Sequence, residues 1–495
     1  MGLFRKLLIA NRGEIAVRVA RTCRAMGIPT VAIHSEADRD ALHTREADEA
    51  VRVGPAEATR SYLDVEAVLD AARRTCADAV HPGYGFLSQN GDFAEAVERA
   101  GLVFVGPPAA VHRRMGDKAG ARRLMAAAGV PVAPGYEGDD QADATLLAEA
   151  ERIGWPVMIK PSRGGGGKGM RVVRAADDFV PALAASRREA RAAFGDDVLV
   201  LERFFERSRH VEVQVLADAH GRTVHLLERE CSIQRRHQKI VEETPSPALS
   251  GRQREDLWAA GVAAARAASY LNAGTVEFLL DGAGRFHFLE MNTRLQVEHP
   301  VTEAVTGLDL VRLQIEIAAG RPLPFAQEEV RGHGHALECR LYAEDPDNDD
   351  LPSPGRILHV SAPEGPGVRF DSGVAAGSEV TVHYDPLLAK IVTWGRDRAE
   401  SVERMAAALQ RTAVLGVVTN HRRLCTIVDH PAFRAGDLHT GFVEEHLAEL
   451  SGVGCPPAEA IAAAVAALHV RTRPQGTGPA APPDPWSSLG GWRLA

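Results

Sequence analysis

Glu290-Met-Asn-Thr-Arg-Leu-Gln-Val-Glu-His-Pro300 follows directly on the apolar run Phe286-His-Phe-Leu289 and sets two carboxylates, two amides and a guanidinium within nine residues. A strand that ends in alternating Glu, Asn, Arg, Gln and Glu is poor core material and suits a site. Glu290 and Glu298 are separated by about 26 Å if the chain is fully extended, so one site uses both only if the chain turns between them. Glu290 and Asn292 are therefore read as strand-end oxygen ligands. Arg294 and Glu298 then fall on the following loop, within reach of a charged substrate.

The segment upstream supplies a partner. Thr275-Val-Glu-Phe-Leu-Leu280 and Phe286-His-Phe-Leu-Glu290 are β-type runs separated by Asp281-Gly-Ala-Gly284, a hairpin signal. With the turn centred between Ala283 and Gly284, Glu277 lies opposite Glu290, a like-charge pair that weakens a sheet unless something neutralises it. A divalent cation would do so, and two carboxylates with an amide oxygen form a hard donor set suited to Mg²⁺ or Mn²⁺ beside nucleotide phosphates. A solvated hairpin edge is the plainer alternative.

The bulk properties narrow the class. A chain of 495 residues with 45% hydrophobic composition has material for about three domains. The net charge of -9 is spread without long like-charge blocks, which argues against nucleic-acid binding and against a polybasic membrane anchor. Cys23, Cys76, Cys231, Cys339, Cys425 and Cys455 form no CxxC pair, so reduced thiols in a cytoplasmic protein are expected. No run approaches the roughly 18 apolar residues of a membrane helix, and no membrane association is expected.

Along the chain, residues 5 to 110 alternate short apolar strands with helix patterns: Lys6-Leu-Leu-Ile-Ala10, a helix from about Gly13 to Met26, then Thr30-Val-Ala-Ile-His34. That rhythm is α/β, a parallel sheet with crossover helices. Asn11-Arg-Gly13 at the first strand-to-helix turn could hold a phosphate but lacks dinucleotide-motif spacing. His81-Pro-Gly-Tyr-Gly-Phe86 is a glycine-rich loop whose Tyr84 could stack on a flat ring. Gly164-Gly-Gly-Gly-Lys-Gly169 reads as a mobile phosphate lid flanked by Lys160 and containing Lys168, although it is not a P-loop. Glu228-Arg-Glu-Cys-Ser-Ile-Gln-Arg-Arg-His-Gln-Lys239 begins where the strand-like Val224-His-Leu-Leu227 would present its end, and its Gln234, His237 and Lys239 offer donors to an oxyanion. Residues 332 to 446 read as a smaller α+β domain with a helix from about Arg398 to Leu409. Beyond it come an Ala-rich helix, about Pro457 to Val470, and a Pro/Gly-rich linker, Arg473 through Pro485.

Four of these stretches together resemble biotin carboxylase, an ATP-grasp enzyme: GGGGKGM from Gly164, CSIQRRHQK from Cys231, EMNTRLQVEHP from Glu290 and HYDPLLAK from His383. The resemblance runs from about residue 4 to residue 446. It implies a Rossmann-like N-terminal domain (1–113), an ATP-grasp domain (114–331, with its lid at about 132–204), a C-terminal biotin carboxylase domain (332–446) and a tail (447–495). It further implies that Lys118, Lys160, Gly165, Gly166, Gly167, Lys168, Glu202, His210, Gln234, His237, Glu277 and Glu290 contact ATP. Glu277, Glu290 and Asn292 would hold Mg²⁺ or Mn²⁺. Lys239, Arg294, Gln296, Val297 and Glu298 would bind bicarbonate, and Tyr84 and Arg340 would meet biotin, with Arg294, Glu298, Lys239 and Arg340 carrying the catalysis.

The implied reaction is ATP-dependent carboxylation of biotin through carboxyphosphate, the first half-reaction of an acyl-CoA carboxylase. Gln89 stands where the family usually has Glu, and Ser208 replaces a usual Pro. No Ala-Met-Lys-Met sequence occurs, so biotin is expected on another polypeptide, a biotin carboxyl carrier protein or domain, with a carboxyltransferase subunit as second partner and a homodimer as the assembly. The ending from Asp484 looks like the entry to the region that follows the carboxylase in longer α subunits, and Gly135-Tyr-Glu-Gly-Asp-Asp-Gln141 leans toward the 3-methylcrotonyl-CoA branch. The competing readings are another ATP-grasp ligase, which would not combine Lys239, Arg294, Glu298 and Arg340, and an inactive ATP-binding scaffold subunit.

Overall fold

The computed structural model describes residues 3–162 and 169–450, which belong to one compact unit. The lid residues Gly165, Gly166, Gly167 and Lys168, and the expected helix and linker beyond residue 450, lie outside the described residues.

The chain begins with five parallel strands, β1 (Leu7–Ile9), β2 (Thr30–Ser35), β3 (Glu49–Gly54), β4 (Ala79–His81) and β5 (Val103–Phe104), in the order β3-β2-β1-β4-β5. Helix α1 (Gly13–Met26) occupies the expected span because Ile15, Ala16, Val19, Ala20 and Cys23 recur on one buried face. It stops at Gly27, whose φ of 69° lets its N–H return to the helix carbonyls. At the switch point between β1 and β4, Asn11 donates its amide to the carbonyls of Pro82 and Tyr84, both at 2.7 Å, and Arg12 grips Asp38. The donors considered for a phosphate are thus spent on tying two loops together. Gly83 is needed there, since its φ is +61° and a Cβ would meet the Asn11 amide at 2.9 Å.

A four-stranded sheet follows, from β6 (Gly135–Tyr136), β7 (Val157–Pro161), β8 (Arg171–Val173) and β9 (Leu199–Arg203), in the order β6-β9-β7-β8. The helices Asp143–Ile153 and Phe179–Phe194 cover it through Leu146, Ala150, Phe179 and Leu183.

The largest sheet has eight antiparallel strands. They are β10 (Arg209–Ala217), β11 (Thr223–Arg235), β12 (Gln238–Thr244), β13 (Asn272–Leu280), β14 (Phe286–Asn292), β15 (His335–Tyr342) and the strands Val368–Ser372 and Leu387–Gly395. The order β14-β13-β10-β11-β12-β15 continues through Leu387–Gly395 to Val368–Ser372. One sheet therefore crosses the boundary expected at 331/332, joined by β12 and β15 with Glu242 opposite Glu338. Helix Gly251–Ala267, started by a Ser250/Gln253 capping box, packs Leu257, Ala264 and Ala265 against Val213, Val215 and Phe278 of this sheet.

Two local readings change. The charged run from Glu228 does not begin at a strand end: β11 continues to Arg235, and the chain reverses through Arg236 and His237, both at positive φ (49° and 67°), into β12. In the β13–β14 hairpin, Leu280 faces Phe286, so the turn centres on Ala283 rather than between Ala283 and Gly284. A bulge between Glu277 and Phe278 in the register then restores the Glu277–Glu290 pair.

Candidate active site

A pocket of about 460 Å³ opens over the large sheet. Its walls include Lys118, Lys160, Glu202, His210, Gln234, His237, Lys239, Glu277, Glu290, Asn292, Arg294, Gln296, Val297 and Arg340, which are brought together from the four-stranded sheet, both hairpins, the loop after β14 and β15. Met158, Met170, Val200, Leu279 and Leu289 give it an apolar side suited to a flat ring. Glu298 lies beneath, completely buried. Tyr84 is not on this wall. Its hydroxyl bonds the Glu14 carboxylate and its ring sits 5.9 Å from Lys390 Nζ.

The sheet explains the convergence. Alternate residues of a strand share a face, and the face turned toward the pocket carries Glu290 on β14, Glu277 on β13, Glu212 on β10 and Arg229 on β11, each in register with its neighbour. Lys239 Nζ donates to Glu212 Oε2 (2.6 Å), Glu277 Oε1 (2.9 Å) and Glu298 Oε1 (2.6 Å). Arg340 donates to Glu298 Oε2 at 3.0 Å. Burial alone would favour a neutral Glu298, but Lys239, Arg340 and Arg229 outweigh it and hold the carboxyl well below its ordinary pKa. Burial likewise opposes the charge on Lys239, and Glu212, Glu277 and Glu298 reverse that, raising it. Lys118 moves the other way: burial, with Lys160 nearby, lowers its pKa against the pull of Glu290 and Glu202.

Glu277 shows what balances the expected like-charge pair. Its Oε1 accepts from Lys239, from Asn292 Nδ2 and from Gln296 Nε2 (both 2.8 Å), and His210 Nε2 lies 3.1 Å from Oε2. The Lys239 ammonium and the two amide donors thus balance Glu277, where the sequence reading called on a metal. Glu290, Glu277 and the Asn292 carbonyl oxygen still present hard oxygen donors on one wall, a set that fits Mg²⁺ or Mn²⁺. Gln234 orients His210 by donating to its Nδ1 at 2.9 Å. Lys160 pairs with Glu202. Arg294 is fanned over three side chains: its Nε donates to Gln89 at 2.8 Å, one terminal nitrogen to Asn292 Oδ1 at 3.2 Å, and the other to Gln296.

Sequence reading missed the buried layer beneath. Arg229, fully buried, donates to Glu212 (2.5 Å), Gln214 (2.8 Å), Thr302 (3.0 Å) and Thr275 (3.1 Å). Cys231 Sγ lies 3.9 Å from Glu298. The signal was present in Val211-Glu-Val-Gln-Val215, whose polar alternates face the site rather than solvent.

Three family models tile the chain: the biotin carboxylase N-terminal domain over residues 3–111, the ATP-binding domain of the carbamoyl-phosphate synthase L chain over 117–326, and the biotin carboxylase C-terminal domain over 338–445. The biotin carboxylase of Haemophilus influenzae is 50% identical over 446 residues, covering 90% of this chain and 99% of that protein. The chain belongs to the biotin carboxylase family. The methylcrotonoyl-CoA carboxylase α subunit of Dictyostelium discoideum is 48% identical over 491 residues, 99% of this chain. This biotin carboxylase family member spans only 61% to 70% of the length of such α-subunit relatives. Among solved structures, the biotin carboxylase domain dimer of Hydrogenobacter thermophilus 2-oxoglutarate carboxylase, in complex with MgADP, ADP and bicarbonate, superposes with a TM-score of 0.88 at 43% identity, over 91% of this chain and 99% of that one. Among the described residues no helix is long and apolar enough to cross a membrane.

Proposed function

We propose that this chain carboxylates biotin at the expense of ATP, using bicarbonate, as the first half-reaction of an acyl-CoA carboxylase of the methylcrotonoyl-CoA type. The observation that carries the reading is Glu298, a carboxylate clasped by Lys239 and Arg340 and buried beneath a pocket whose walls bear Lys118, Lys160 and Arg294.

The chain's residues divide the work. Lys118, Lys160, His210, Gln234 and His237 bind the nucleotide against the apolar wall, with Glu202 orienting Lys160. Glu277, Glu290 and Asn292 hold the divalent ion, which when bound neutralises charge on the nucleotide phosphates. Lys239, Arg294, Gln296 and the Val297 backbone hold bicarbonate. Its arrival draws Lys239 away from Glu298, which relieves the depression of that carboxyl's pKa and makes it a better base. Glu298 then takes the bicarbonate proton as the freed oxygen attacks the γ-phosphorus, giving ADP and carboxyphosphate. Carboxyphosphate breaks into CO₂ and phosphate, and the phosphate removes the N1 proton of biotin. Arg294 and Arg340 stabilise the charge on the ureido oxygen while N1 attacks CO₂; a planar guanidinium suits that bidentate task. Gly165, Gly166, Gly167 and Lys168 keep the nucleotide contacts that the resemblance implies, and shielding the site from water protects carboxyphosphate from hydrolysis.

The same reading takes residues 1–113, 114–331 and 332–446 as the three working parts. It also takes a biotin carrier domain or protein and a carboxyltransferase as partners, and a homodimer as the assembly. Five free cysteines among the described residues support a reducing, cytoplasm-like environment. The test is ADP release from ATP, Mg²⁺ and bicarbonate with and without free biotin. Biotin should raise the rate, and Arg294→Ala should abolish that rise; an ADP release indifferent to biotin would place the chain among other ATP-grasp ligases.

A further inference from the structure

Behind Arg340 lies a pair of acids that the reaction above leaves unused. Glu242 on β12 and Glu338 on β15 stand directly opposite each other in the sheet, and both are completely buried. None of their four carboxylate oxygens makes a hydrogen bond of ordinary geometry with the described residues, although an Arg340 terminal nitrogen lies 2.5 Å from Glu242 Oε1. The other cations nearby are committed elsewhere. Lys390 Nζ serves Glu14 Oε1 at 3.0 Å and the Val297 carbonyl at 2.8 Å, and Lys239 serves Glu212, Glu277 and Glu298. The other titratable groups that act on the pair add no positive charge: Glu298 is anionic, and burial pushes the Cys231 and Cys339 thiols well up.

Two ionised carboxylates facing each other in a dry sheet, with one guanidinium shared between them and Glu298, leave a buried charge uncompensated, and protonation is the cheaper state. Burial, reinforced by Glu242 against the pull of Lys390, pushes Glu338 well above the ordinary carboxylate range. Burial pushes Glu242 up to about 7, with Arg340 opposing. We propose that Glu242 and Glu338 share a single proton, carried by Glu338, and act as a positioning pair that holds Arg340 against Glu298. The Glu338 O–H donates to Glu242, whose charge then has one cation to hold, the Arg340 guanidinium. Losing the proton leaves two carboxylates drawing on Arg340, away from Glu298, so biotin-dependent turnover declines on the alkaline side as the pair empties.

The inference rests on the role given to Arg340 above, and its test separates the two. The infrared spectrum of the wild-type chain at neutral pH should contain a protonated-carboxyl C=O band that shifts in D₂O and is missing from Glu338→Gln. That result is independent of turnover, so it stands or falls even if the chain proves to carboxylate something other than biotin. Absence of the band, or its survival in Glu338→Gln, overturns the shared proton. In turnover, Glu338→Gln, which mimics the neutral acid, should keep activity at neutral pH and lose the alkaline decline. Glu242→Gln should raise the KM for biotin by about tenfold, a common scale for groups that orient a functional side chain, with the KM for ATP unchanged. An alkaline decline intact in Glu338→Gln, or a biotin KM unmoved by Glu242→Gln, overturns the positioning role.

Discussion

Glu298 is held ionised by the groups that a bound anion would recruit, so its basicity is tied to occupancy of the pocket. Lys239 reaches it at 2.6 Å and Arg340 at 3.0 Å, yet each has another carboxylate to fall back on: Glu212 and Glu277 for Lys239, Glu242 for Arg340. Glu298→Gln should therefore leave no orphaned cation and fold normally, while biotin-dependent ADP release drops by about 10²–10⁴-fold, the usual weight of a positioned general base. Steady-state kinetics beside a melting curve check this, and full activity in Glu298→Gln would refute the base assignment. At this scale the sequence was legible where a residue sits in a dense polar motif. Arg294, Gln296 and Glu298 stood out because no core tolerates their spacing. Glu242 and Glu338 did not, because a Glu on a strand usually faces water, and only the register of β12 against β15 reveals that these two face each other inside.

At the scale of elements, the site depends on hairpins whose geometry single residues decide. The Glu277–Glu290 pair was legible from two β-type runs and the Asp281-to-Gly284 turn, but the bulge in the register that sets it was not, since nothing local in the sequence distinguishes a bulge from a turn shifted by half a residue. The same holds for β11, where a run of charges masked the last eight of the strand's thirteen residues, which turn back through Arg236 and His237. Arg229 fastens this region by joining β10, β11 and β13 to helix His299–Thr306 through Glu212, Thr275 and Thr302. Arg229→Ala removes the guanidinium and leaves Glu212 buried with only Lys239 to compensate it. We expect a loss of about 3–5 kcal/mol, the cost of breaking a buried pair from one side, read as a lower denaturant midpoint. An unchanged midpoint would mean the network contributes little to the fold.

Across the whole molecule, the parallel β1–β5 sheet and the α1 span followed from hydrophobic rhythm alone, whereas the continuity of the large sheet across 331/332 did not, because strand pairing over long sequence distance leaves no local trace. The molecule also buries several neutral histidines. Burial lowers His43, His81, His112 and His225 from 6.5 to about 4. Unfolding lets these groups bind protons near 6.5, so their contribution to stability is complete above that pH and is lost as the pH falls toward 4. Depressed carboxyls such as Glu298 and Asp38 add a further loss below the ordinary carboxylate range. The melting temperature should accordingly fall as the pH drops from 6.5 to 4, and a flat profile over that window would show that these histidines protonate within the fold. On the mechanism proposed above, this pocket moves the carbon of bicarbonate onto biotin while ATP is cleaved. The most direct measurement supplies isotope-labelled bicarbonate with ATP, Mg²⁺ and free biotin and follows label in biotin beside ADP. Labelled carboxybiotin should form only with ATP present and disappear in Arg294→Ala; ADP release with no label in biotin would overturn the mechanism.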